Sequence, residues 1–252
     1  MAGTGSTTHR TLRVLRTERI TPKMARITLG GAELSGYPAF GPDQRIKLFF
    51  PVEGQDRPAM PRTSSGGPVW PPGEPRPVIR SYTVRRFDAA AGELDVDFVL
   101  HTAQGPAATW AARAEPGDWV GISEPGGRYQ PDPAAEAHLV IGDESALPAI
   151  TTVLDALAEF TGPVEVWIEV ADADEEQPLP VTASTTVHWL HRGDAPAGSR
   201  LTEALTSAQL PPNCQAWLSA EAAAVRDIRA HLLDNHSLPR RMIYATGYWR
   251  AR

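Results

Sequence analysis

Residues 78–101 read VIRSYTVRRFDAAAGELDVDFVLH, two candidate strands about a short linker that ends in Gly92. In the second strand, Glu93–His101, the residues Leu94, Val96, Phe98 and Leu100 fall on one face, the period-2 pattern of a half-buried strand. In the first, Val78–Arg86, alternation sets Arg80, Tyr82 and Val84 against Ser81, Thr83 and Arg85. Upstream, Arg10–Ile20, Lys23–Leu29 and Gln44–Phe50 are short, β-rich segments divided by turn residues, and Asp118–Ile122 follows downstream. These strands surround one clear helix, Gly105–Arg113, with Pro106 at its first turn. The pattern predicts a small antiparallel Greek-key β-barrel. Pro51–Pro77, with eight prolines and four glycines, predicts a long irregular surface loop within it.

After Pro131-Asp132-Pro133 the rhythm changes. Ala137–Ile141 is a short apolar strand, and Glu144–Phe160 carries Leu147, Ile150, Leu154 and Leu157 at helical spacing. Strands are expected at Val164–Val170, Thr186–Leu190, Cys214–Ser219 and Arg241–Tyr244, with helices at Leu201–Ala208 and Glu221–Leu233. Such alternation predicts an α/β domain, a parallel sheet with helices on both faces. A boundary at 130–136 separates a first domain, residues 10–132, from a second, residues 133–252.

The 252 residues are 42% hydrophobic and 21% charged, a globular composition that excludes disordered, collagen-like and coiled-coil classes. No apolar run reaches the roughly 20 residues that span a bilayer, and the MAGTGSTTHR start has no secretory h-region. A single cysteine, Cys214, excludes an internal disulfide and a four-cysteine zinc or iron–sulfur site. A reducing, cytoplasmic setting is expected, without membrane insertion.

The net charge of −6 argues against general nucleic-acid binding, yet it is uneven: residues 1–130 carry +3 and residues 131–252 carry −9. Only Lys23 and Lys47 are lysines; the other basic residues are arginines, whose guanidinium fork suits oxygen-rich anions. The sequence lacks a GxxxxGK[ST] phosphate loop, a GxGxxG after a strand, HExxH and GxSxG. His188 and His191, three apart on a strand, point to opposite faces, and His231 and His236 lie five apart near a helix end, so neither spacing reads as a metal site.

Arg80-Ser81-Tyr82-Thr83 on an edge strand has the parts for an aromatic, phosphorylated ligand: a guanidinium for phosphate, a ring for a planar system and hydroxyls for ring nitrogens. The start of the next helix, Gly105-Pro106-Ala107-Ala108, offers unpaired amides to an anion.

RSYTVR, DVDFVLH, GPAATWA, PGDWVGISEPGG, IGDESALPAI and a terminal GYWR, in that order, resemble the siderophore-interacting protein family, flavoproteins of the ferredoxin-reductase-like group. The resemblance spans Arg10 to Arg250. It implies that Arg80 and Arg85 meet the FAD phosphates, that Tyr82 packs on the flavin beside Ser81, and that Thr83 lies near the flavin N5 as the catalytic residue. It further implies that Asp97, Val99, Leu100 and His101 border the flavin, and that Gly105, Pro106, Ala107 and Ala108 cradle the pyrophosphate. Asp143, Glu144, Ser145 and Ala146 map to the turn where the second domain meets the nicotinamide or flavin, and Tyr248 and Trp249 to the segment beside it. Ala108 stands where the family usually has serine, and Ala220 where it often has glycine. The implied function is an FAD-dependent reductase that converts iron(III) in ferric siderophores to iron(II) with electrons from NAD(P)H. A ferredoxin donor and a non-catalytic flavin- or siderophore-binding protein are the alternatives, and a monomer or weak dimer is expected. Lys47, Arg128 and Arg250 are candidate attractors of an anionic chelate.

Overall fold

The structure, a computed structural model, describes residues 9–38, 41–64, 66–100, 105–127, 129–211 and 213–251. It divides into two compact units, Met1–Arg128 and Tyr129–Arg252.

The first unit holds β1 (Arg10–Thr21), β2 (Met24–Gly30), β3 (Arg45–Phe50), β4 (Arg62–Ser64), β5 (Gly67–Val69), β6 (Val78–Thr83), β7 (Arg86–Asp88), β8 (Glu93–Val99), α1 (Pro106–Arg113) and β9 (Trp119–Ile122). Seven strands form one antiparallel sheet in the order β6-β3-β9-β1-β2-β8-β7. Its two edge strands, β6 and β7, are neighbours in sequence, so the sheet must curl until its ends meet. Val84 and Arg85 make that join: Val84 N donates to Gln44 O beside β3, and Arg85 N donates to Asp95 O on β8. The segment 78–86 is therefore two strands rather than the single one its alternation suggests.

Alternation along β8 holds. Leu94, Val96 and Phe98 are buried in the barrel core with Leu12, Ile27, Leu48, Val120 and Trp110, and Leu100 packs against them. On the opposite face Asp95 accepts from Thr28 Oγ1 at 2.6 Å and from Arg86 Nε at 3.0 Å. The proline-rich segment carries the short hairpin β4–β5. It also lies against the barrel wall: Arg57 sits 3.6 Å over the Trp119 ring, and a Cβ at Gly121 would collide with the Met60 sulfur.

The second unit holds β10 (Ala137–Asp143), α2 (Leu147–Ala156), β11 (Val164–Val170), β12 (Thr185–His191), α3 (Ser199–Ser207), β13 (Cys214–Glu221), α4 (Ala222–Asp234) and β14 (Ile243–Trp249). All pairings in its five-stranded sheet are parallel, in the order β12-β11-β10-β13-β14. The order reverses between β10 and β13, and the carboxyl ends of strands at such a reversal form the usual ligand crevice of open α/β sheets. Strand β10 is buried throughout, as a central parallel strand must be. The helix expected over 144–160 is shorter: residues Glu144–Ala146 form a 3-10 turn, and α2 begins only at Leu147, with Pro148 in its first turn. Among the described residues no helix is long and apolar enough to cross a membrane.

Candidate functional site

In the first unit the flavin-type residues gather on β6, an edge strand whose outer side has no strand partner among the described residues. Register with β3 places Lys47 opposite Ser81 and Arg45 opposite Thr83, so each pair shares a face. Arg80, Ser81 and Lys47 are exposed. The Arg80 guanidinium donates to the carbonyl of Ile79 at 2.8 Å, and no acidic partner for it or for the Lys47 ammonium occurs among the described residues. Tyr82 packs its ring 4.4 Å from Phe98, tilted 39°, and burial pushes its hydroxyl well above the ordinary tyrosine range. Thr83 is buried at the strand end, and its hydroxyl makes no hydrogen bond among the described residues. Arg85 is half-buried at the barrel seam.

Asp97 stands on the face of β8 away from the core, and both its oxygens accept from Arg26, at 2.7 and 2.8 Å. Val99 ends β8, and the half-buried Leu100 donates its backbone N–H to Lys23 O. His101 and Arg128 lie outside the described residues. Helix α1 follows, with Gly105 as its N-cap and, among the described residues, no side chain capping its first turn. Pro106 lacks an N–H, Ala107 and Ala108 are buried, and the first-turn amides have no side-chain acceptor among the described residues. A cavity of about 320 Å³ opens beside this turn, lined by Phe50, Val78, Pro106, Thr109, Trp110 and Arg113 among others.

In the second unit the turn after β10 is organised by one buried carboxylate. Asp143 Oδ1 accepts from Ser145 N at 3.0 Å and Ser145 Oγ at 2.5 Å; Oδ2 accepts from Glu221 N at 2.9 Å and Trp249 Nε1 at 2.7 Å. Burial first, and the neighbouring Glu144 second, raise its pKa from 3.8 to about 6, while the donors pull the other way. It is ionised at neutral pH, with every oxygen satisfied. Glu144 pairs with both terminal nitrogens of Arg192, at 2.7 and 2.5 Å. Ala146 is fully buried, and a Cβ on Gly142 would lie 2.6 Å from that of Ala146 and 2.9 Å from Ser219 O, so glycine is required there.

The helix starts at this edge are also filled from within the chain. Glu169 accepts from the backbone N–H groups of Gly198, Arg200 and Leu201 at the head of α3. Glu221 accepts from Ala223 N at 2.6 Å and Ala224 N at 3.1 Å at the head of α4. Burial raises the Glu221 pKa, but the backbone donors Ala224, Ala251, Ala223 and Ala222 together outweigh it and hold the carboxyl below its usual range. Sequence reasoning missed both caps; a Glu directly before the AAAV start of α4 was the available signal. Ala220 is fully buried in the apolar layer with Ala216 and Leu218.

Tyr248 and Trp249 belong to β14 rather than to a tail. Ala220 pairs with Gly247 but Glu221 with Trp249, so the strand bulges at Tyr248 and turns the Trp249 indole toward Asp143. Gly247 lets β14 approach α4, since a Cβ there would lie 2.9 Å from that of Ala222. Arg250 is exposed just beyond the strand.

A family model described as a siderophore-interacting FAD-binding domain matches residues 13–129, and one described as siderophore-interacting protein matches residues 135–252. The chain is 32% identical to the ferric vibriobactin reductase ViuB of Vibrio cholerae, covering 96% of this chain and 89% of that protein. It is also 32% identical to the NADPH-dependent ferric-chelate reductase of Escherichia coli, over 96% of this chain and 93% of that one. The siderophore-interacting protein SipS of Aeromonas hydrophila superposes with a TM-score of 0.81 at 32% identity, over 97% of this chain and 92% of that structure. The first unit is thus an FAD-binding domain, and its described residues fit the cofactor: among them the edge-strand Arg80 has no acidic partner, and the start of α1 has no side-chain cap and lies beside a cavity. With homology running the length of both units, the chain belongs to the siderophore-interacting protein family.

Proposed function

We propose that this protein reduces the iron(III) of ferric siderophores to iron(II), with electrons from NADPH through FAD. The observation that carries the reading is the match of an FAD-binding domain to a unit whose edge strand leaves Arg80, Ser81 and Lys47 exposed beside Tyr82. The names of two relatives, a ferric vibriobactin reductase and an NADPH-dependent ferric-chelate reductase, support the substrate class and the donor.

When bound, FAD would supply two-electron acceptance from the donor and one-electron release. Arg80 and the first-turn amides of α1 would hold its phosphates, through charge and through the helix dipole. Tyr82, packed on Phe98, would support the ring system. Thr83 would offer its hydroxyl to the flavin ring, and Lys47 on the first unit would draw in an anionic chelate, with Arg250 on the second unit a further candidate attractor. Iron(II) is a poorer match than iron(III) for hard oxygen donors, so reduction itself loosens the metal. No side chain has to act as acid or base at the iron.

A second reading keeps the reaction and changes the donor. Asp143, Glu169 and Glu221 occupy helix-start amides where a dinucleotide would place its pyrophosphate. That arrangement favours a protein donor such as a ferredoxin. Anaerobic reduction of ferric chelates, with iron(II) trapped by a chromogenic chelator, tests both. Iron(II) formation with NADPH is the expected result. Formation with reduced ferredoxin alone selects the second reading, and no iron(II) with either donor rejects the reductase.

A further inference from the structure

We infer that His231 and His236, at the carboxyl end of α4, form a binding site for a late first-row divalent metal ion such as zinc(II). The site lies outside the candidate flavin and donor regions. Their Nε2 atoms are 3.1 Å apart, and the ring centroids are 4.9 Å apart with planes at 70°. Two imidazoles aligned head-on across that gap would have centroids farther apart, so the nitrogens are bent off the joining line, as ligands converging on one ion are. An ion about 2.0–2.1 Å from each nitrogen would see them at roughly 98°, between the octahedral and tetrahedral angles.

The helix ending fixes this geometry. Asn235 N donates to His231 O at 2.9 Å, and Leu238 N reaches back to Leu232 O at 3.1 Å. Leu238 is buried, and Ser237, with φ of 53°, takes the left-handed conformation that turns the chain directly after His236. A non-glycine residue held there signals a turn over-determined by its surroundings. Both histidines are half-buried and therefore reachable.

The electrostatics suit a cation. The carboxyl end of a helix carries partial negative charge. Asp234, three after His231, lies on the same helix surface, while Asp227, four before it, is already paired with Arg226. In the bound form each ring carries its proton on Nδ1, so the hydrogen bond between the two Nε2 atoms gives way to two bonds to the ion. Imidazole pairs suit zinc, copper and nickel, and water fills the remaining positions.

Equilibrium dialysis of the full FAD-loaded protein against zinc(II) tests the site. One ion per chain is expected. Binding should weaken at least about tenfold in His231→Ala and in His236→Ala, because loss of even an outer-shell partner costs about 10–100-fold. His231→Gln and His236→Asn, which keep a polar helix end, should show the same loss, and His188→Ala should bind normally. Absence of a stoichiometric ion, retention in both variants, or loss in only one of the two positions would overturn the assignment.

Discussion

The indole N–H of Trp249 donates to the carboxylate of Asp143 across 2.7 Å, tying the last strand of the parallel sheet to the end of its central one. The two residues are 106 positions apart, and Glu221 joins them by donating its backbone N–H to the same oxygen. A carboxylate fully withdrawn from water is tolerated because four donors surround it, and each of those donors is fixed by it in return.

Trp249→Phe keeps the aromatic area and deletes one donor. The buried Asp143 oxygen is then one bond short, at a cost of about 1–3 kcal/mol. Urea unfolding followed by circular dichroism should show that loss in the second unit. An unchanged midpoint and slope would mean that the bond contributes nothing.

The Asp143 carboxyl should titrate near pH 6, against 3.8 for a free aspartate. Because the folded pKa is the higher one, the folded protein binds the extra proton between those values, and stability from this group declines as pH rises from about 4 to about 6. Carbon-13 shifts of the carboxyl measure it directly. A midpoint at or below 3.8 would show that the four donors outweigh burial.

Arg80→Ala should weaken FAD binding by roughly 1.5–3 kcal/mol, about 10–150-fold in Kd, the loss of one charge-assisted bond. Flavin fluorescence titration of the apoprotein reads this. Arg80 has no acidic partner among the described residues, so its removal should leave the barrel's thermal midpoint within a degree or two of the parent. Full FAD affinity in the variant would remove Arg80 from the phosphate site.

How far the sequence reached is clearest at two strands. ELDVDFVLH was legible because one face of β8 is apolar and packs into the barrel core while the other carries the paired carboxylates Asp95 and Asp97, which makes the period visible. The break at Val84-Arg85 left no mark: these residues alternate as a strand would, and only closure of the sheet sends one to β3 and the other to β8. GDESALPAI announced a turn into a helix, yet the self-capping of Asp143, Glu169 and Glu221 depends on which strand ends lie side by side. That is set by the order β12-β11-β10-β13-β14, not by local spacing. Asp97 has a partner that its motif does not announce: across the sheet, in register on β2, Arg26 takes both its oxygens.

Approach of substrate to the candidate flavin strand β6 depends on local charge. The chain carries −6 overall, so an anionic ferric chelate is repelled at long range and needs a local positive group to approach. Lys47 meets that need: it is exposed, has no acidic partner among the described residues, and stands directly opposite Ser81 on the strand that carries Tyr82. Charges more than about 8 Å away are largely screened at physiological salt, so a group this near the site should dominate over the distant acidic surface. Lys47→Gln should therefore slow reduction of an anionic chelate several-fold while leaving FAD content and flavin reduction by the donor unchanged. Raising the salt should shrink the difference, since the parent then loses the attraction that the variant already lacks. A neutral chelate should be reduced at nearly the parent rate. Equal slowing of anionic and neutral chelates, insensitive to salt, would show that Lys47 acts on the flavin or the fold and not on the approach of substrate.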